Sequence, residues 1–426
     1  MSDFTRRDFI KLMSAAGAAS AMGWPIVAQA ARRRVVVVGG GFGGATCAKY
    51  IRAFDPRLKV TLIEQDTKFV TCPFSNAVLG GLRTIGSITH GYDKLRQNHG
   101  VKVIHDRATA IDPAARKVML AGGKRLRYDR LVVSPGIDFR WGAIESYDEA
   151  ASQTMPHAWK AGPQTSTLRK QLEQMRDGGV VIIAPPVNPF RCPPGPYERA
   201  CMIAHYLKQA KPRSKILIYD AKDKFSKQPL FMQGWQKLYP GMIEWIKQSD
   251  GGAIERVDPK TRTVYPVFGK PQKGDVVNVI PPQHAGTIAH TAGLVNKDGW
   301  CPVNQRTFES AMHKDIHVIG DAAIASPLPK SGFAAGSEAK VCAAAIVASL
   351  RGETMPDPSY VNTCYSLVGP EYGISVAAVY RLKGNEIVKV KGAGGVSPKD
   401  ATDMFRRDEA RYAAGWYSSI TADVWG

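Results

Sequence analysis

The stretch Arg34-Val35-Val36-Val37-Val38-Gly39-Gly40-Gly41-Phe42-Gly43-Gly44 decides how the rest of the chain is read. Its valine run has the composition of a strand buried on both faces of a parallel sheet. The glycines that follow match G-x-G-x-x-G at Gly39, Gly41 and Gly44. Ala45 to Phe54 then continues as a helix, and Lys59-Val60-Thr61-Leu62-Ile63 as a second strand ending at Glu64. Glycine allows a tight turn and a close approach to a pyrophosphate, whose charge sits at the helix N-terminus. Glu64 lies twenty residues after Gly44, where a carboxylate accepts hydrogen bonds from ribose hydroxyls. A glycine fingerprint alone says little. Strand, fingerprint, helix, strand and acid in this order specify a dinucleotide-binding unit.

Two further segments favour FAD over NAD at this unit. Tyr128-Asp129-Arg130-Leu131-Val132-Val133-Ser134-Pro135-Gly136 runs as a strand into a small-residue turn. It resembles the YDxLVxATG segment of two-dinucleotide-domain flavoproteins, with Ser-Pro in place of Ala-Thr. Downstream, His317-Val318-Ile319-Gly320-Asp321-Ala322 resembles the strand-then-GDA motif whose aspartate bonds the ribityl chain of FAD. In those proteins the next helix, here near Pro329 to Leu350, points its positive end at the flavin.

A second α/β unit opens with the strand Val180-Val181-Ile182-Ile183-Ala184 and continues at Lys215-Ile216-Leu217-Ile218-Tyr219-Asp220. The turn after its first strand reads Pro185-Pro186-Val187-Asn188-Pro189-Phe190-Arg191-Cys192-Pro193-Pro194-Gly195. Prolines lack the N–H groups and the backbone freedom of a pyrophosphate cradle. This unit is expected to keep the architecture without binding NADH, so electrons must come from another donor.

The N-terminus reads as an address. Arg6-Arg7 precedes a modestly apolar run from Leu12 to Val27, and Ala28-Gln29-Ala30 supplies a cleavage site. This pattern resembles a twin-arginine signal, which exports folded proteins to the periplasm. Across the 426 residues, 57 basic against 37 acidic side chains give a net charge of +20. Removing residues 1–30 takes away three basic and two acidic residues and leaves +19. Such a balance favours an acidic partner or an anionic ligand. With 44% hydrophobic and 22% charged residues, a disordered chain is excluded. No nucleic-acid recognition motif accompanies the charge, so a nucleic-acid role is set aside. No later stretch reads as long and apolar enough to span a bilayer, so no integral membrane segment is expected.

Seven cysteines are present, an odd number that leaves at least one unpaired or otherwise occupied. Cys72 lies in Thr71-Cys72-Pro73-Phe74-Ser75-Asn76, eight residues after Glu64. Cys192 opens Cys-Pro-Pro-Gly-Pro-Tyr-Glu just before the helical stretch Glu198 to Gln209, and Cys364 lies in Asn362-Thr363-Cys364-Tyr365-Ser366-Leu367. Cys47, Cys201, Cys301 and Cys342 carry ordinary packing readings, the first and last in Ala-rich helices. With Cys72 set apart, six thiols permit 15 pairings, and spacing does not choose among them.

Taken together, the segments GGGFGG, TCPFSN, CPPGPYE, GDAA, PKSGF, NTCYSL, YGISVAAVY and AAGWYSSITADVWG resemble the flavoprotein subunit of flavocytochrome c sulfide dehydrogenase. That family is a relative of the sulfide:quinone reductases. The resemblance runs through nearly the whole chain after residue 30, and the last four segments are specific to this branch. It implies FAD held through an 8α-S-cysteinyl thioether, for which Cys72 matches. It implies a redox disulfide beside the flavin, for which Cys192 and Cys364 match, and an active-site acid/base, for which Glu198 matches. Trp416 falls in the segment near the route from flavin to haem. The implied partner is a c-type, dihaem cytochrome subunit in a heterodimer, and the implied substrate a small anionic sulfur species. The chain has no C-x-x-C-H of its own, so a haem acceptor must be another chain.

The expected fold class is α/β: two Rossmann-like dinucleotide-binding domains followed by a C-terminal α+β domain. The expected organisation is a signal at 1–30 and an FAD domain from 31–150 with 285–350. An NADH-domain-like unit takes 151–284, and an aromatic-rich docking domain takes 351–426. A membrane-bound sulfide:quinone reductase would want an apolar C-terminal end. Here Thr402 to Arg411 is heavily charged, which favours a protein acceptor. A redox-inactive flavoprotein with a binding or assembly role is the reading from a different class.

Overall fold

In the computed structural model, which describes residues 33–426, the valine run forms β1 (Arg34–Val38) with Val35 to Val38 buried. The export signal expected at residues 1–30 lies outside the described residues. The glycine turn passes directly into α1 (Phe42–Phe54), which starts three residues before the helix expected from the sequence because the glycines themselves form its first turn. β2 (Lys59–Glu64), β3 (Lys102–His105) and β4 (Arg130–Val133) follow. β1 pairs in parallel with β2 on one side and β4 on the other, Val36 lying between Thr61 and Leu131. Val35, Val37, Leu62, Leu131 and Val132 are fully buried. Each such side chain contributes roughly 1.5–3 kcal/mol of apolar transfer, which is why the run tolerates no polar residue.

The second unit repeats the pattern. β5 (Val180–Ala184), α2 (Gly195–Ala210), β6 (Lys215–Tyr219), α3 (Gln228–Leu238), β7 (Ile243–Ile246) and β8 (Val276–Val279) give a parallel sheet in the order β7-β6-β5-β8. The proline-rich turn after β5 is tied down rather than open. Lys222 donates to the Pro186 carbonyl (2.8 Å) and to Asp220 (2.6 Å). Asp220, at the end of β6 where a ribose acid would stand, is fully buried and also accepts from Tyr197 and the Trp245 indole. Its acceptors are spent inside the protein.

The chain then returns to the first sheet. β9 (Ile316–Val318) pairs in parallel with β4 and completes the order β9-β4-β1-β2-β3. α4 (Gly332–Arg351) follows, its first turn capped by the Ser331 side chain, which accepts from the Ala334 amide. At 20 residues α4 does meet the length and composition of a bilayer span, contrary to the sequence expectation that nothing does. It is, however, packed in the core, with Ala334, Ala339, Cys342, Ala343 and Ile346 at zero exposure. Small residues allow it to lie close against α1.

Residues 359–425 form an antiparallel sheet of β10 (Ser359–Gly369), β11 (Tyr372–Lys383) and β12 (Glu386–Val396), covered by the long helix α5 (Asp403–Trp425). A Cβ on Gly373 would press into the α5 backbone at Glu409 and Ala410, so glycine permits this approach. The segment that the sequence marks as heavily charged is partly core. Arg406 and Glu409 are buried, and Glu409 accepts from Ser375 and Ser397 at 2.6 Å while Arg406 donates to the Pro398 carbonyl at 2.6 Å. Periodicity misses this because internal hydrogen bonds, not solvent, satisfy the charges.

Candidate active site

Gly39 adopts φ +96°, a conformation that L side chains avoid. A Cβ on Gly39 would overlap the Ser134 carbonyl oxygen, and one on Gly44 would overlap the Gly39 carbonyl oxygen. Gly41 faces the Phe69 ring. Gly39 and Gly44 therefore fit a turn in which backbone packs directly on backbone, with the N-terminus of α1 behind it. Glu64 accepts from the Gly40 amide (2.6 Å) and the Asp66 amide (3.0 Å), and burial pushes its carboxyl above the ordinary value. It braces the turn as well as facing the cavity, and each oxygen keeps a second lone pair for a ribose hydroxyl. The Ser134-Pro135 pair expected to pack does so: the Ser134 amide donates to the Val38 carbonyl at 2.8 Å.

A cavity of about 760 Å³ runs from this turn to the C-terminal sheet. Gly39, Gly41, Glu64, Cys72, Cys192, Glu198, Asp321, Cys364 and Trp416 all line it. Gly44 does not; it acts from beneath, through Gly39. Two buried polar atoms around the cavity have no partner: Asp321 Oδ1 and Trp416 Nε1. Asp321 Oδ2 is held by Arg191 Nε at 2.7 Å. An orphaned acceptor on the residue of the GDA turn fits a hydroxyl-bearing ribityl chain, and the glycine cradle fits a pyrophosphate. The residues present therefore fit FAD.

At the other end lie the sulfur groups. Cys72 is half-buried; its Sγ is 3.3 Å from the Trp159 carbonyl oxygen and accepts from Arg191 Nη1 at 3.4 Å. Cys192, just before α2, has φ +57°, and its amide donates to the Lys330 carbonyl at 2.8 Å. A non-glycine residue in this conformation costs on the order of 1 kcal/mol or more and persists where the surroundings hold it. The seven cysteines are all thiols in this structure. Burial, together with the nearby Cys364, Glu198 and Cys72, pushes the Cys192 thiol far up. Burial also raises Cys364, against a downward pull from Lys227.

Glu198 lies in the first turn of α2 and is half-buried at the cavity wall. Its Oε1 accepts from the Leu367 amide (2.8 Å) and its Oε2 from Asn76 Nδ2 (2.9 Å). Burial raises its carboxyl, outweighing those two hydrogen bonds and the nearby cations. Such a raised carboxyl is a stronger base than an exposed one and is suited to taking and returning protons.

Three residues that no sequence motif singles out complete the site. Arg199 is buried with no carboxylate partner among the described residues, donating to Asn76 Oδ1, Asn278 Oδ1 and the carbonyls of His157 and Ala158, with its guanidinium 4.8 Å from the Trp159 ring centre. Asn76 links Arg199 to Glu198. Lys227, also buried, donates to Ser366 Oγ at 2.8 Å. The four cysteines without an assigned role, Cys47, Cys201, Cys301 and Cys342, are fully buried, and Cys201 accepts from the Trp235 indole.

Two parallel units, a glycine cradle with a GDA turn, and paired thiols beside a buried acid define an FAD-dependent oxidoreductase of the pyridine nucleotide-disulphide oxidoreductase fold; that family matches residues 33–159. The rest of the chain narrows the class. Residues 165–281 match the central region of the sulfide dehydrogenase [flavocytochrome c] flavoprotein chain, and residues 356–425 match the flavocytochrome c sulphide dehydrogenase flavin-binding family. The chain is 72% identical over 38 residues to the sulfide dehydrogenase [flavocytochrome c] flavoprotein chain of Chlorobaculum thiosulfatiphilum, covering 9% of this chain and 79% of that sequence. The chain belongs to the flavocytochrome c sulfide dehydrogenase flavoprotein family. It is also 33% identical over 180 residues to a sulfide-quinone reductase of Aquifex aeolicus, 41% of this chain and 40% of that one. The solved sulfide:quinone oxidoreductase from Aquifex aeolicus superposes with a TM-score of 0.72 at 20% identity, covering 92% of this chain and 91% of that chain, which shows a shared fold.

Proposed function

We propose that this chain is the sulfide-oxidising flavoprotein subunit of a periplasmic flavocytochrome c, with FAD tethered covalently through Cys72 and electrons passed to a c-type cytochrome subunit. The observation that carries the reading is the convergence of Cys72, Cys192, Glu198, Cys364 and Asp321 on one cavity. Gly39, Gly41, Gly44, Glu64 and Asp321 would hold FAD, and Cys72 lies where a half-exposed thiol beside Arg191 is available for a thioether. When bound, FAD supplies a two-electron acceptor next to the sulfurs.

The working form of Cys192 and Cys364 is a disulfide in this reading. Hydrosulfide attacks one sulfur, the S–S bond breaks, a persulfide forms on the attacked cysteine and the other leaves as thiolate. Glu198 takes the proton of the incoming sulfur, since burial raises its carboxyl and makes it a stronger base than an exposed carboxylate. Arg199 contributes a fixed positive charge beneath the cavity, which favours every anionic species in the sequence. The net positive charge of the chain draws a small anion towards it. Trp416, with its free indole N–H at the cavity wall, fits a place on the path towards the cytochrome.

The test is acid precipitation of the purified protein. Flavin colour and mass stay with the wild-type chain and wash out of Cys72→Ser, while anaerobic sulfide bleaches the wild type. Flavin lost to the supernatant from the wild type overturns the tether. Unbleached flavin in excess sulfide overturns the activity and favours a binding role.

A further inference from the structure

Lys227 is an ammonium with a place in the structure that packing alone does not explain. It sits just before α3 with φ +58°, is 7% exposed, and makes no ion pair among the described residues. Burying an uncompensated ammonium costs several kcal/mol, so a nearby anion is required in the working protein. Two of its three donors are engaged, by Ser366 Oγ at 2.8 Å and by the Ile374 carbonyl at 3.5 Å. These two residues face each other across β10 and β11.

The register of β10 says which anion. Cys364 and Ser366 are two residues apart on one strand, so their side chains leave the same face. At about 3.3 Å per residue their bases are roughly 7 Å apart, so an ammonium bonded to Ser366 Oγ stands on the same face of β10 as the Cys364 side chain. The groups that act on Lys227 are Cys364, Glu198, Cys192 and Glu409, and those that act on Cys364 are Lys227 and Glu198. Both carboxylates have partners of their own. Glu198 is held by the Leu367 amide and Asn76, Glu409 by Ser375, Ser397 and Arg406. Among the described residues the Cys364 sulfur's one hydrogen-bond contact is the neighbouring Tyr365 carbonyl, at 3.7 Å.

We infer that Lys227 is a positioning residue that supplies the counter-charge for an anionic sulfur on Cys364 once the Cys192–Cys364 bond opens. The inference rests on the disulfide reading above and adds the group that decides which of the two sulfurs carries the charge. When dithiothreitol opens the bond, it leaves as its own cyclic disulfide, and the two electrons it gives up stay on the Cys192 and Cys364 sulfurs. Cys192 keeps a proton as thiol, Cys364 remains as thiolate beside Lys227, and the second proton goes to solvent.

The experiment uses the reduced holoprotein, with the alkylation rate of Cys364 by iodoacetamide read from peptide mass between pH 6 and 10. A unit charge about 6 Å away at an effective dielectric constant near 20 moves a titration by about one to two pH units. Lys227→Met is expected to raise the Cys364 midpoint by about that much, slowing alkylation at pH 7.5 some ten- to a hundredfold. Lys227→Arg is expected to restore the wild-type midpoint, and Cys192 to move less than Cys364. Should Lys227→Met fail to fold, Ser366→Ala, which frees the ammonium from its anchor, is expected to move the midpoint in the same direction. An unmoved midpoint, or equal shifts at both cysteines, overturns the inference. No sulfide enters this measurement, so a chain that fails to oxidise sulfide would sink the proposed function while leaving this result to stand or fall separately.

Discussion

Glu198→Gln is the substitution whose outcome separates chemistry from packing. In the wild type both oxygens accept, Oε1 from the Leu367 amide and Oε2 from Asn76 Nδ2. Glutamine has one acceptor and one donor at these positions, so whichever way it turns, a donor faces a donor. Asn76 cannot flip to relieve this, because its Oδ1 is held by Arg199 Nε at 3.0 Å and its Nδ2 also donates to the Gly195 carbonyl at 3.1 Å. One buried donor left without a partner costs about 1–3 kcal/mol of stability. Losing a proton acceptor in the reaction costs a further 10²- to 10⁴-fold in rate, about 3–5 kcal/mol of barrier. The assay is kcat/KM for sulfide with a ferric c-type cytochrome as acceptor, from pH 6 to 9, at matched flavin content. Sulfide's own ionisation is common to both proteins and cancels in the wild-type to variant ratio. Because burial raises the Glu198 carboxyl, its basic form fills at higher pH than that of an exposed carboxylate, and the ratio should rise as pH climbs through that titration. A ratio near one refutes the role. A constant ratio at every pH assigns the whole effect to the misplaced donor and refutes the proton transfer.

Glu338, buried under the GDA turn and accepting from the Gly320 amide at 2.6 Å, is pushed up to about 8 chiefly by burial. Below about pH 4.5 folded and unfolded chains both hold this proton; between there and pH 8 only the folded chain does, so stability falls by up to roughly 5 kcal/mol as pH rises. Glu338→Gln should therefore match the wild type in denaturation midpoint at pH 5 and exceed it at pH 8.5, and an equal gap at both pH values would show that the carboxyl does not titrate there. Gly44→Ala drives a methyl into the Gly39 carbonyl, so the folded chain should emerge from gel filtration without flavin absorbance; a variant that keeps stoichiometric flavin would disprove the backbone-on-backbone turn.

The first α/β unit and its glycine turn were legible because each device there is local. A valine strand, three glycines and an acid lie within thirty-one residues, Arg34 to Glu64. Asp321 was legible for the same reason, as a strand followed by a turn. Lys227 and Arg199 were not. Lys227 sits among Lys222, Lys224 and Asp223, which reads as a solvated loop, and its burial comes from a sheet more than 130 residues downstream. Arg199 lies on α2, where Tyr197, Ala200, Cys201, Met202, Ile203 and Ala204 are buried as well. A helix buried nearly all round has no polar face to mark a charged residue as exceptional. The C-terminal unit was hardest to read, because Arg406, Glu409 and Thr421 occupy core positions and break the apolar rhythm that sequence patterns depend on.

Trp425 stacks on His90 and Phe69 and donates its indole N–H to the Gly40 carbonyl at 3.3 Å, a contact spanning 385 residues of sequence. A ribosome needs about 20–80 s to cover that distance at typical rates of synthesis. For that interval the glycine turn exists without the helix that braces it, and β1 without its neighbour β4 until 130–133 are made. Loading of the dinucleotide is therefore a late event in the life of each molecule, and a premature stop in α5 would release a chain that has β1 and α1 but whose binding turn is still unsupported.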